Sequence, residues 1–117
     1  MAAYGDPKVA IELCKKMLIV DKGEIKASLG DYYRPFFAPY STKLSEEISK
    51  YKKEDIAAAA QSHLEKMMCD LLEFYLNKEN VLETNLMLAG GVFGNVRVNQ
   101  KLKELPQIKN LYVQPQM

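Results

Sequence analysis

Asn85-Leu86-Met87-Leu88-Ala89-Gly90-Gly91-Val92-Phe93-Gly94-Asn95-Val96-Arg97-Val98-Asn99 sets a short apolar run before a glycine pair and a helical pattern directly after it. Residues 86–89 are too few and too tightly bounded for a helix, so the run predicts a buried strand flanked on both faces. Gly90 and Gly91 then let the chain turn sharply. Lacking a Cβ, each glycine tolerates positive φ and lets a ligand come close to the main chain, while the free amides of the following helix offer donors and a partial positive charge. A nucleotide- or phosphate-facing turn and an ordinary strand-to-helix turn both fit this spacing.

Working outward, the pattern predicts a helix over about 95–104 with Val98, Leu102 and Leu105 inward, closed by Pro106. A strand over 110–114 follows before Pro115. Two strands joined by one helix lie parallel with a right-handed crossover, which makes this half of the chain α/β. Upstream, residues 54–76 carry the strongest helical period. Ile56, Ala60, Leu64, Met67, Met68, Leu71, Leu72 and Tyr75 recur at steps of three and four, with Glu54 and Asp55 suiting the first turn. His63 and Gln61 read as surface or satisfied polar residues of that helix.

Residues 17–20 and 24–28 flank Asp21-Lys22-Gly23, the signature of a hairpin in which glycine takes the left-handed position. Asp6 as a cap and Pro7 in the first turn favour a short helix over 7–16. Ser41 or Thr42 caps another helix running to about Tyr51. Between them, Tyr32, Tyr33, Phe36, Phe37 and Tyr40 around Pro35 and Pro39 predict an ordered loop over an aromatic satellite core.

Composition narrows the function classes. The chain has 117 residues, with 16 Lys and Arg against 15 Asp and Glu, a formal net charge of +1. The two signs are interspersed, which argues against nucleic acid as a partner. No run reaches the roughly 18 apolar residues of a membrane helix, and the cytoplasm is the expected compartment. Cys14 and Cys69, far apart among apolar neighbours, read as reduced thiols. One histidine and two distant cysteines do not make a zinc site, so no metal ligand and no catalytic residue is assigned within the chain.

As a dinucleotide fingerprint, Ala89-x-Gly91-x-x-Gly94 needs alanine in place of the first glycine. The acidic residue expected after the next strand is replaced by Gln114 and Gln116, which removes the ribose-diol contact. A Walker loop needs Lys and then Ser or Thr at the helix start, where this chain has Asn95-Val96-Arg97.

The stretch from Leu88 to Asn99 instead resembles the LAGGVxxNxxxN segment of the O-carbamoyltransferases of antibiotic and nodulation-factor biosynthesis. More distantly it resembles the adenosine motif of the tRNA threonylcarbamoyladenosine synthesis enzymes. Ala2-Ala3-Tyr4-Gly5 looks like that family's LAAYG segment, Asp55 to Glu65 its DIAAxxQxxLE helix, and Leu111-Tyr112-Val113-Gln114-Pro115 its strand before a GDxG turn. The resemblance implies one ribonuclease-H-like half of an actin/Hsp70/sugar-kinase fold, closing over ATP. Residues 1–117 then form a single partial domain, the C-terminal half of the carbamoyltransferase N-terminal domain and inactive alone. The implied reaction is ATP- and carbamoyl-phosphate-dependent, through a carbamoyl-adenylate, onto a small-molecule hydroxyl. Gly90, Gly91 and Val92 are then expected to face or line the nucleotide pocket and Asn95 to hydrogen-bond the adenosine, while Arg97 and Asn99 face either the pocket or solvent. The family's metal-binding histidine pair, its GDxG aspartate and its carbamoyl-phosphate-binding domain have no counterpart here, and His63 does not match the pair. A second reading is a non-catalytic nucleotide-binding or interaction module, self-associating through an exposed sheet edge.

Overall fold

The computed structural model describes residues 2–27, 32 and 41–115. The fold is mixed α/β, built from two separate two-stranded sheets docked on one long helix. The elements are α1 (Ile11–Met17), β1 (Leu18–Asp21), β2 (Glu24–Ala27), α2 (Thr42–Ile48), α3 (Lys53–Lys78), β3 (Thr84–Leu88), α4 (Val96–Lys103) and β4 (Ile108–Val113). A 3-10 turn at Ala2–Tyr4 precedes α1, and another at Gly91–Gly94 precedes α4.

β3 and β4 pair in parallel, as the β-α-β pattern requires, with Leu86 opposite Leu111 and Leu88 opposite Val113. The ladder extends one step further, since Gln114 N donates to the Leu88 carbonyl at 2.8 Å. The expectation of a strand buried on both faces is corrected. Leu86 and Leu88 turn inward while Met87 is 76% exposed, because α3 and α4 cover only one face of the sheet. β4 starts at Ile108, two residues before the expected 110, where Ile108 is buried and anchors the strand. α4 follows its expected bounds closely, with Val98 and Leu102 essentially inaccessible.

β1 and β2 form the expected antiparallel hairpin, closed by Lys22 at φ 50° and Gly23 at φ 79°. Two positive φ values define the tight turn that matches strand twist. Met17 belongs to α1 rather than to the strand. The hairpin is held against α3 by two long-range bonds. Tyr75 OH donates to the Gly23 carbonyl at 2.8 Å, and His63 Nε2 lies 2.7 Å from the Leu18 carbonyl.

The helix expected over 7–16 begins only at Ile11. Asp6 does not cap it: its Oδ1 accepts from Lys8 N at 2.9 Å, closing a local turn around Pro7 instead. Ser41, not Thr42, caps α2, accepting from Leu44 N at 3.2 Å, and the helix stops at Ile48 before tighter turns carry the chain to Tyr51. The aromatic loop expected over 31–40 lies outside the described residues apart from Tyr32, whose ring has Lys16 Nζ 5.3 Å from its centre.

α3 runs 26 residues, about 39 Å at 1.5 Å per residue. It carries one core near its start and a second along its middle. Ala59 packs with Ala10 and Cys14, flanked by Ile11, Tyr51 and Ile56; further along, Leu64, Met68 and Leu72 pack on Leu88, Val98 and Leu102. Serving two sides makes the inward stripe wider than its period suggests. Ala58 and Ala59 are buried while Ala60 and Tyr75 are exposed. Gly5 admits the N-terminal segment to the first turn of α3, where an added Cβ would sit 1.9 Å from the Glu54 carbonyl oxygen.

Candidate functional site

The glycine turn is shaped by its own backbone. Gly90 adopts φ 110° and ψ 162°, a conformation open essentially to glycine alone, and the chain then tightens into the 3-10 turn. Phe93 N donates to the Gly90 carbonyl and Asn95 N to the Val92 carbonyl, each at 3.1 Å. From beneath, the Phe93 side chain packs on the Leu88–Val98–Leu102 core, and Asn99 Nδ2 holds the Phe93 carbonyl at 2.8 Å. The outer side is open: Val92 is 45% exposed, and a Cβ added at Gly90 or Gly91 would meet no atom within 4 Å. The opening amides of a 3-10 turn have no acceptor inside it, so those of Gly91 and Val92 find no partner within the turn.

Asn95 caps α4, its Oδ1 accepting from Val98 N at 3.2 Å. The same oxygen accepts from Gln61 Nε2 at 3.1 Å, and Asn95 Nδ2 donates to Gln61 Oε1 at 2.8 Å. This reciprocal amide pair locks the start of α4 to α3. It also uses both acceptor lone pairs of Asn95, leaving one Nδ2 proton for anything outside the chain. Gln61 is therefore not a plain helix-face residue. Its partner lies 34 residues away, beyond the reach of any local pattern, which is why the sequence alone does not show the pairing.

A separate cleft of about 490 Å³ opens beside the pair, between the N-terminal segment, α3 and α4. Gly5, Gln61, Glu65 and Arg97 line it, whereas Gly90, Gly91, Val92 and Asn95 do not. Of the two α4 residues with an open orientation, Arg97 lies at this cleft and Asn99 supports the turn. Glu65 is only 8% exposed, and its Oε1 stands 3.7 Å from Arg97 Nε. Cys69 lies at the same cleft, and burial, helped by Glu73 and Asp70, raises its thiol above the ordinary value. That keeps it neutral and a poor nucleophile. His63 serves the hairpin and stands apart from both the turn's contacts and the cleft lining. Among the described residues no cluster of three or more His, Cys, Asp or Glu is grouped to hold a metal ion. No helix among them is long and apolar enough to cross a membrane.

A family model described as "Carbamoyltransferase N-terminus" matches residues 22–117, which takes in α3, the glycine turn, α4 and β4. The chain belongs to the carbamoyltransferase N-terminal domain family. The Tyr4-Gly5 segment precedes the matched region of this carbamoyltransferase domain. No curated protein and no solved structure matches it.

Proposed function

We propose that this carbamoyltransferase domain supplies one wall of the nucleotide site of an ATP- and carbamoyl-phosphate-dependent O-carbamoyltransferase acting on a small-molecule hydroxyl. The observation that supports it is the glycine turn, where Gly90 at φ 110° and Gly91 leave an open main chain immediately before a capped helix. A turn whose own side chains leave it uncovered fits a polyphosphate nucleotide approaching the amides. In this reading the main chain at Gly90 and Gly91 and the side chain of Val92 border the nucleotide. Asn95 acts as a donor only, through its single free Nδ2 proton, while Gln61 and Asn99 keep the turn in place. ATP, when bound, supplies the phosphoanhydride energy that activates the carbamoyl group. The parallel β3-α4-β4 unit is consistent with part of a ribonuclease-H-like half of an actin/Hsp70/sugar-kinase fold, and the cytoplasm is the compartment this reading carries.

Calorimetric titration with Mg·ATP tests it. Saturable binding that Gly91→Leu abolishes, with the circular dichroism spectrum unchanged, supports the assignment; no heat at millimolar ATP, or equal binding by Gly91→Leu, overturns it. The alternative of a non-catalytic interaction module draws on the outer face of the β3-β4 sheet, where Met87 and Tyr112 are 76% and 54% exposed. Sedimentation separates the two readings: a stable dimer without ATP binding favours the module, and an ATP-binding monomer favours the enzyme wall.

A further inference from the structure

Glu65 is the one charged residue buried among the described residues, and its Oε1 is shut from solvent without a hydrogen-bond partner. The nearest cation, Arg97 Nε at 3.7 Å, stands beyond hydrogen-bond range. Such a carboxylate is strongly unfavourable unless something donates to it, and it forms part of the wall of a 490 Å³ cleft large enough for a small molecule.

The rest of the lining has the opposite sign. Lys66, Arg97 and Lys101 border the cleft with side chains 68%, 63% and 50% exposed. Lys66 is held by Asp70 at 2.8 Å and Lys101 more loosely by Glu104 at 3.8 Å. Arg97 has no ion partner among the described residues except Glu65, reached through Nε alone, so the forked end of its guanidinium is uncommitted. A guanidinium fork matches phosphate geometry with two parallel N–H donors, and a neighbouring ammonium adds a point charge. One wall is also fixed in advance, because Gly5 abuts the α3 backbone too closely to admit a Cβ.

We propose that this cleft is a second ligand site, distinct from the glycine turn, which takes a small molecule combining an ammonium group with a phosphate. The ammonium donates to Glu65, which as a carboxylate can only accept. The phosphate is held by Arg97 and Lys101 at the rim, and Gln61 and Ser62 supply neutral polar lining between the helices. Occupancy neutralises the buried Glu65 carboxylate and engages the free fork together. Neither half of the ligand does both.

Phosphoethanolamine is the probe, titrated calorimetrically into the domain beside inorganic phosphate and ethanolamine. The expected result is binding at least about tenfold tighter than either component, the scale of one charge-assisted hydrogen bond. Glu65→Gln, which keeps the side chain's size, is expected to reduce affinity for phosphoethanolamine about tenfold while leaving the weak affinity for phosphate unchanged. Lys101→Ala, at an exposed position where folding is not at stake, is expected to weaken both phosphoethanolamine and phosphate. No binding of phosphoethanolamine, binding no tighter than phosphate alone, or an unchanged affinity in folded Glu65→Gln overturns the proposal. So does an unchanged affinity in Lys101→Ala.

Discussion

Replacing Asn95 by alanine tests the amide pair that joins α4 to α3. The substitution removes the cap on Val98 N at 3.2 Å, worth about 1 kcal/mol. It also removes both bonds to Gln61, at 3.1 and 2.8 Å, each contributing about 0.5–1.5 kcal/mol net. The total is about 2–4 kcal/mol, a large share of the roughly 5–15 kcal/mol that holds an ordinary domain together. Asn95→Asp keeps an acceptor for the cap and suits the positive helix terminus, but loses the donation to Gln61 Oε1; about 1 kcal/mol is expected. The decisive quantity is the coupling. With Gln61→Ala as the second arm, a double-mutant cycle should return about 1–3 kcal/mol, because each single change already breaks both shared bonds. Urea denaturation followed by the helical signal of α3 measures all four proteins. An Asn95→Ala loss below about 0.5 kcal/mol, or strict additivity of the two changes, refutes the reasoning.

The two glycines of the turn should separate stability from ligand binding. Gly90→Ala forces a side chain to φ 110° and should cost about 1–3 kcal/mol in urea unfolding, whereas Gly91→Ala, with open space and no positive φ, should stay within about 0.5 kcal/mol. Gly5→Ala places a methyl group against the Glu54 carbonyl and should detach the N-terminal segment, seen as faster limited proteolysis over residues 2–10. Burial raises both thiols above their ordinary value of 9.0. The folded state then holds protons that the unfolded state has released, so this contribution to stability is intact below about pH 9 and is lost as pH rises through the folded values. Stability should therefore decline from pH 9 to 10, less so in Cys14→Ala, and iodoacetamide at pH 8 should label half-buried Cys69 before buried Cys14.

What the sequence made legible was local. The apolar run, the glycine pair, the helical period after Asn95 and Pro106 each act within a few residues, and together they predict strand, turn, helix and a parallel strand. Signals with two local uses misled at the edges: Asp6 and Pro7 serve a turn as well as they would open a helix, so α1 starts at Ile11. Met87 belongs to an apolar run but faces outward, because a run of leucine-like residues does not reveal how many faces of a strand are covered. The Gln61–Asn95 pair and the burial of Glu65 depend on how α3 and α4 meet. A period along one helix cannot show this, and Gln61 accordingly reads as a surface or satisfied polar residue of α3.

The two cores on α3 also imply an order of assembly. β3, α4 and β4 close within residues 84–113, a short contour that loop entropy favours early. The hairpin reaches α3 only through partners 45 and 52 residues apart, Leu18 with His63 and Gly23 with Tyr75. Pulse-labelled hydrogen exchange should find the amides of β4 protected before those of β1, and the reverse order would sink this idea. The glycine turn then takes shape while the hairpin is still undocked, so its backbone geometry is built by the segment that carries it.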